Sequence, residues 1–262
     1  MDAKIVVRDL MHEYNDEYTG QHVRALDGLS LDVADGEFVA VVGPSGCGKT
    51  TLLNILAGLV RPTAGSILVD GHQVKGPGPD RGVVFQELAI LPWRTVARNI
   101  GHGLEIQGME RRERERRVRQ FIELVGLEGF DHRYPHELSG GMKQRVALAR
   151  TLAANPVVML MDEPFSAVDA QTRITLQEEL NRIAIATRKT ILFITHNVEE
   201  AAFLGDRCCV LTRRPGRIKR VVEIPIPRER RVWKDLSTDP EFVTLREEVL
   251  TLVREEVHDS EE

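Results

Sequence analysis

The sequence predicts an α/β protein in which an antiparallel β layer precedes a buried parallel sheet and a helical subdomain is inserted between sheet strands. Three observations carry this expectation: alternating apolar residues near the N-terminus, three continuously apolar five-residue runs, and a helical stretch broken by turn residues.

Ile5, Val6 and Val7, then Leu29, Leu31 and Val33, supply the alternation, and Asp35-Gly36 forms the turn into the next strand, so these segments read as the antiparallel layer. Phe38-Val39-Ala40-Val41-Val42 is apolar throughout. Residues 157–161 and 190–194 repeat that pattern, as strands covered on both faces require. Residues 96–154 read as helices interrupted at Gly101, Gly126, Pro135 and Gly140-Gly141. The Arg/Glu-rich run 110–120 reads as a solvated helix face with intrahelical ion pairs. Residues 208–212 and 218–224 flank Pro215-Gly216 as a hairpin-like return. The charged tail beyond Pro227 is expected to hold a short helix and then frayed, exposed chain. The expected organisation is one domain over 1–225, its helical subdomain near 88–154, and a short charged C-terminal extension over 226–262.

With 262 residues, 42% hydrophobic and 29% charged, the chain can bury a sizeable core in water. A net charge of -5 disfavours nucleic acid as a partner. No apolar run approaches the roughly 18 residues of a membrane span, and MDAKIVVRDL lacks a signal peptide's apolar stretch, so any membrane role is expected through a partner. Cys47, Cys208 and Cys209 suit a reducing compartment rather than a disulfide or zinc framework.

Gly43-Pro44-Ser45-Gly46-Cys47-Gly48-Lys49-Thr50 fits the phosphate-loop pattern, with a buried strand before it and an apolar helix over 52–59 after it. The glycines turn backbone N–H groups toward phosphate, the helix terminus favours an anion, Lys49 reaches the β/γ-phosphates and Thr50 can ligate Mg²⁺. Asp162 and Glu163 close the second apolar run, where Asp162 can hold Mg²⁺ and Glu163 can act as general base on water. An Asp-Glu-Pro turn alone is more often only a turn; the upstream phosphate loop gives it meaning. Ser139 is a natural N-cap before Gly140-Gly141, making a second bare helix terminus suited to phosphate. One loop already wraps the phosphates, so this terminus is expected to face nucleotide on another copy. Cys47, beside Lys49 and the loop amides, is expected to favour thiolate and to be alkylation-sensitive.

In their order along residues 5–223, these motifs resemble the ATP-binding-cassette ATPases of the P-loop NTPase class, with Leu138-Ser139-Gly140-Gly141-Met142-Lys143-Gln144 as the family signature. The resemblance implies ATP and Mg²⁺ as cofactors and two subunits sandwiching ATP head to tail. It further implies that Gln86 contacts Mg²⁺, that Asp169 touches the opposing subunit, and that His196 contacts the γ-phosphate. The same resemblance implies that residues 43–51, ending in Thr51, form the nucleotide cradle and that Tyr14 or Tyr18 stacks on adenine. Leu91-Pro92-Trp93-Arg94, the stretch 195–207 after the third run, and Arg214-Pro215-Gly216-Arg217-Ile218 resemble the nitrate/sulfonate/taurine importer ATPases. Asn197 and Lys143 depart from that subgroup without removing a catalytic group. This likeness implies a peripheral ATP hydrolase on the cytoplasmic face of the membrane, partnered by a second ATPase subunit, an integral-membrane permease gripped through residues 86–98, and an extracytoplasmic solute-binding protein. The alternative is a soluble cassette ATPase acting as a non-transport switch or assembly factor. The short interval between Lys49 and Ser139 leaves no room for the long coiled coil of DNA-repair relatives.

Overall fold

The computed structural model describes residues 3–15 and 22–258. Strands β1 (Ala3–Asn15) and β2 (His22–Ala34) pair antiparallel; β3 (Phe38–Val42) then feeds α1 (Lys49–Leu56). β4 (Ala64–Val69) and β5 (His72–Gln73) complete a first sheet of order β2-β1-β4-β5, the predicted antiparallel layer. After β6 (Arg81–Val84) come α2 (Val96–Ile100), α3 (His102–Ile106), α4 (Arg111–Leu124) and α5 (Gly140–Ala153), which form the helical insertion. The chain returns through β7 (Val158–Asp162), α6 (Ala170–Thr187), β8 (Thr190–Ile194), α7 (Val198–Leu204), β9 (Arg207–Leu211) and β10 (Ile218–Glu223). It ends with α8 (Trp233–Leu236) and α9 (Pro240–His258).

The second sheet has the order β10-β9-β3-β8-β7-β6; its neighbours from β9 to β6 run parallel and β10 returns antiparallel beside β9. All five residues of β3, β7 and β8 are buried because both sheet faces are covered. Val39 and Val41 pack toward the first sheet and α1, while Ala40 and Val42 pack toward α7 and α9. On α4 only Val118 and Ile122 are buried, and Arg111–Glu115 and Arg116–Glu113 pair along its outer face, as the charge spacing predicts.

The tail is longer and more ordered than the short helix expected, and the frayed end expected beyond His258 lies outside the described residues. α9 docks across the sheet edge, with Phe242 and Val249 fully buried and the Phe242 ring edge-on to Trp233. Arg231 is nearly buried and donates to the carbonyls of Phe203, Gly205 and Ile226, which fixes the approach to α8. An apolar stripe on an otherwise charged helix is what charge counting alone overlooked. Among the described residues no helix is long and apolar enough to cross a membrane.

Candidate functional site

At the C-terminal ends of the parallel strands the β3–α1 loop curls into a cradle, the position at which open α/β sheets bind ligands. Gly46 and Gly48 have φ of +75° and +101°, and a Cβ on Gly48 would lie 2.8 Å from the Ala25 carbonyl oxygen. Only glycine fits that close approach between loop and β2. The first turn of α1 carries no acidic residue and no side-chain cap, so its amides stay open to an anion. Lys49 is buried and donates from Nζ to the carbonyls of Gly43 (2.8 Å) and Pro44 (3.0 Å), contacts that orient the ammonium without neutralising it.

Tyr14, Ser45, Gly46, Gly48, Lys49, Thr50, Thr51 and Glu163 line one cleft of about 310 Å³. The Tyr14 hydroxyl lies 3.2 Å from Thr51 Oγ1, and its ring meets His12 edge-on at 4.5 Å, so the aromatic face is braced at the cleft wall. Tyr18 lies outside the described residues.

β7 ends at Asp162, directly before the cleft-lining Glu163. The Asp162 carboxyl is buried near the Thr50 hydroxyl and keeps Oδ1 enclosed without a hydrogen-bond partner. Desolvation raises its pKa, opposed by Thr50 and Lys49 and reinforced by neighbouring Glu163. An enclosed, unpartnered carboxylate oxygen next to a hydroxyl is the donor set a hard cation takes, so these residues fit Mg²⁺. Among the described residues no cluster of three His, Cys, Asp or Glu side chains forms, so the remaining ligands would come from phosphate and water.

Glu163 sits at φ +43°, a left-handed conformation that is strained for a side-chain-bearing residue. Its N–H donates to the Ile194 carbonyl (2.9 Å) and its carbonyl accepts from Ser166 Oγ (2.9 Å). The turn directs Oε2 to His196 Nδ1 at 2.8 Å. Behind this pair, Thr195 Oγ1 donates to Glu200 (2.6 Å), and Arg173 approaches Glu200 while donating to the Val168 carbonyl (2.9 Å). Asn197 caps α7 by accepting from the amides of Glu199 and Glu200, so Asn at this position keeps the loop geometry.

Cys47 corrects the expected reactive thiolate. It is 1% exposed, and burial pushes its thiol upward against the opposing influence of Lys49. The loop turns its backbone, not this side chain, toward the cleft.

Gly43, Pro44, Cys47, Gln86, Ser139, Gly140, Gly141, Asp162, Asp169 and His196 do not line this cleft. Gln86 is exposed beyond β6, at the same sheet end as Asp162. Ser139 caps α5 by accepting from Met142 N (3.3 Å), and both it and Gly140 are exposed. Asp169 is exposed and caps α6 by accepting from Thr172 N (3.0 Å), which holds its carboxyl below the usual range. Sequence reasoning did not assign Arg214, which also lines the cleft. A second opening, a groove of about 960 Å³, runs between Trp93, Arg94, Arg98, Arg114, Arg119 and His132. Trp93 stands 70% exposed at its edge.

Residues 26–166 match the ABC transporter family. The chain belongs to that family. The match spans the phosphate loop, the helical insertion and the Asp162-Glu163 turn. An uncharacterized ABC transporter ATP-binding protein of Methanocaldococcus jannaschii is 52% identical over 98% of this chain and 94% of its own length. The nitrate import ATP-binding protein NrtD of Synechocystis sp. is 47% identical, covering 88% of this chain and 89% of that protein. The taurine import ATP-binding protein TauB of Rhizobium johnstonii is 46% identical over 89% and 90% respectively. Among solved structures, a dimeric ATP-binding cassette in a post-hydrolysis state, bound to ADP and Pi, aligns with TM-score 0.74 and 30% identity over 85% of this chain and all of that one. These likenesses agree with the importer subgroup that Trp93, the stretch after Thr195 and the Arg214-Pro215-Gly216 turn suggest.

Proposed function

We propose that this chain is the ATP-binding and ATP-hydrolysing subunit of an ABC importer, peripheral on the cytoplasmic face of a membrane. It energises uptake of a small anionic solute such as nitrate, a sulfonate or taurine, through a permease fed by an extracytoplasmic solute-binding protein. One observation carries the reading: Lys49, Thr50 and Glu163 line one cleft, with Asp162, whose Oδ1 is enclosed and unpartnered, adjoining Glu163 at the end of β7, and His196 paired to Glu163.

In this mechanism the loop residues Gly43, Pro44, Ser45, Gly46, Cys47, Gly48, Lys49, Thr50 and Thr51 enclose the triphosphate, Cys47 through its backbone alone, and Tyr14 stacks on adenine. Thr50 and Asp162, with Gln86, would hold Mg²⁺, which when bound would supply positive charge against the phosphates. Glu163 takes the proton of the attacking water, and His196 fixes that carboxylate while facing the γ-phosphate. The exposed Ser139-Gly140-Gly141 terminus and Asp169 serve the site of a second copy, so the active form is a head-to-tail homodimer that closes on ATP and reopens after hydrolysis. The groove beside Trp93 receives a permease segment, and its surplus of arginine favours one carrying carboxylates.

The test is Mg²⁺-dependent ATP hydrolysis by the chain co-purified with its permease from detergent-solubilised membranes. Recovery without a membrane partner, or absence of hydrolysis in the recovered complex, overturns the assignment.

A further inference from the structure

The turn between β9 and β10 lies against the phosphate loop. Gly216 is buried there, and a Cβ on it would collide with the Cys47 carbonyl oxygen. Its N–H donates to the Ala25 carbonyl (2.8 Å) and its carbonyl accepts from Asp27 N (3.2 Å), stitching the turn to β2. Arg217 Nε donates to Asp27 Oδ2 at 3.0 Å, and Thr212 Oγ1 accepts from Arg217 N at 3.0 Å. From the other side, Glu256 of α9 accepts from the Arg213 amide at 2.9 Å while pairing with Lys219 at 2.8 Å.

This turn is therefore held on three sides, and it presents Arg214 to the wall of the cleft that holds Lys49 and Thr51. Arg214 is exposed and makes no hydrogen bond or ion pair among the described residues, whereas Arg217 in the same turn is tied to Asp27. A planar fork of donors at the rim of a phosphate cradle, on a backbone already fixed, pairs with phosphate oxygens at little ordering cost. We propose that Arg214 is a nucleotide-binding residue whose guanidinium pairs with a phosphate of the nucleotide held at Lys49, and that Glu256 of α9 is its positioning residue. This rests on the reading of the cleft as the ATP site and extends that site to the β9–β10 turn and the C-terminal helix.

The experiment is calorimetric titration of Mg-ADP into the full chain. Arg214→Ala is expected to weaken binding about tenfold, the loss of one charge-assisted hydrogen bond, with Arg214→Lys in between. Glu256→Ala is expected to weaken binding by a smaller factor in the wild-type background and by none in the Arg214→Ala background. Unchanged affinity of Arg214→Ala, with binding lost in Lys49→Ala, overturns the inference alone. Equal effects of Glu256→Ala in both backgrounds overturn the positioning role. Wild-type affinity in Lys49→Ala overturns the cleft reading and this inference with it.

Discussion

His196 Nδ1 and Glu163 Oε2 lie 2.8 Å apart, although the two residues sit beyond the ends of different strands. The pairing of β7 with β8, Asp162 opposite Ile194, sets the two loops side by side, and the left-handed backbone of Glu163 turns its carboxylate across the gap. An exposed histidine is thereby linked to the carboxylate proposed to activate water.

Glu163→Gln is expected to lower Mg-ATP turnover at least a hundredfold while Mg-ATP affinity stays near wild type, because only the proton acceptor is lost. Steady-state hydrolysis and equilibrium binding check this together. Wild-type turnover in the variant excludes Glu163 as the base.

Gly140 has open space where a Cβ would stand, so Gly140→Glu is expected to fold normally. It sets a carboxylate at a helix start proposed to meet phosphate on a second copy. In a Glu163→Gln background, sedimentation should show ATP-dependent dimers that disappear on adding Gly140→Glu, with ATP binding by the monomer retained.

Cys47, Cys208 and Cys209 are all buried, and burial raises the Cys209 thiol to about 12. The folded chain is expected to resist maleimide at neutral pH with or without Mg-ATP, and to react at all three thiols in denaturant. Rapid labelling of Cys47 in the folded chain would contradict its packing beneath the loop.

The Arg217 guanidinium holds the Asp27 carboxyl below its ordinary value. A depressed carboxylate contributes stability above its unfolded pKa of about 3.9 and loses it as pH falls through the folded value. The stability difference between wild type and Asp27→Asn should be steady above about pH 5 and shrink toward zero in stronger acid, as read by denaturant titration across pH.

Phe242 is fully buried against Trp233 in the tail. Phe242→Ala is expected to cost about 3–5 kcal/mol of unfolding free energy. A loss under about 1 kcal/mol would mean that α9 is only loosely attached.

Much of the sheet is legible from local pattern, since strands buried on both faces must read as apolar runs, and β3, β7 and β8 do. The phosphate loop and the Asp162-Glu163 turn are legible because their chemistry depends on short spacings. What sequence reasoning missed depends on contacts between distant segments. The seat of α9 requires Phe242 to find Trp233, which in turn packs edge-on against Phe203, and the burial of Cys47 follows from β2 and the β9–β10 turn closing on the loop. The Glu200–Arg173 contact joins α7 to α6, so no short window of sequence contains it. Arg214 stands in a recognisable Arg-Pro-Gly turn, but only the packing of Gly216 on Cys47 directs it to the cleft.

With Gly48 seated against Ala25 and Gly216 against Cys47, the cradle is wedged between β2 and the β9–β10 turn. Backbone so confined has little room to collapse when empty, which makes it a receptacle shaped in advance of its occupant. In the proposed dimer, exchange of spent for fresh nucleotide would then be governed by the parting of whole subunits rather than by reshaping of each pocket.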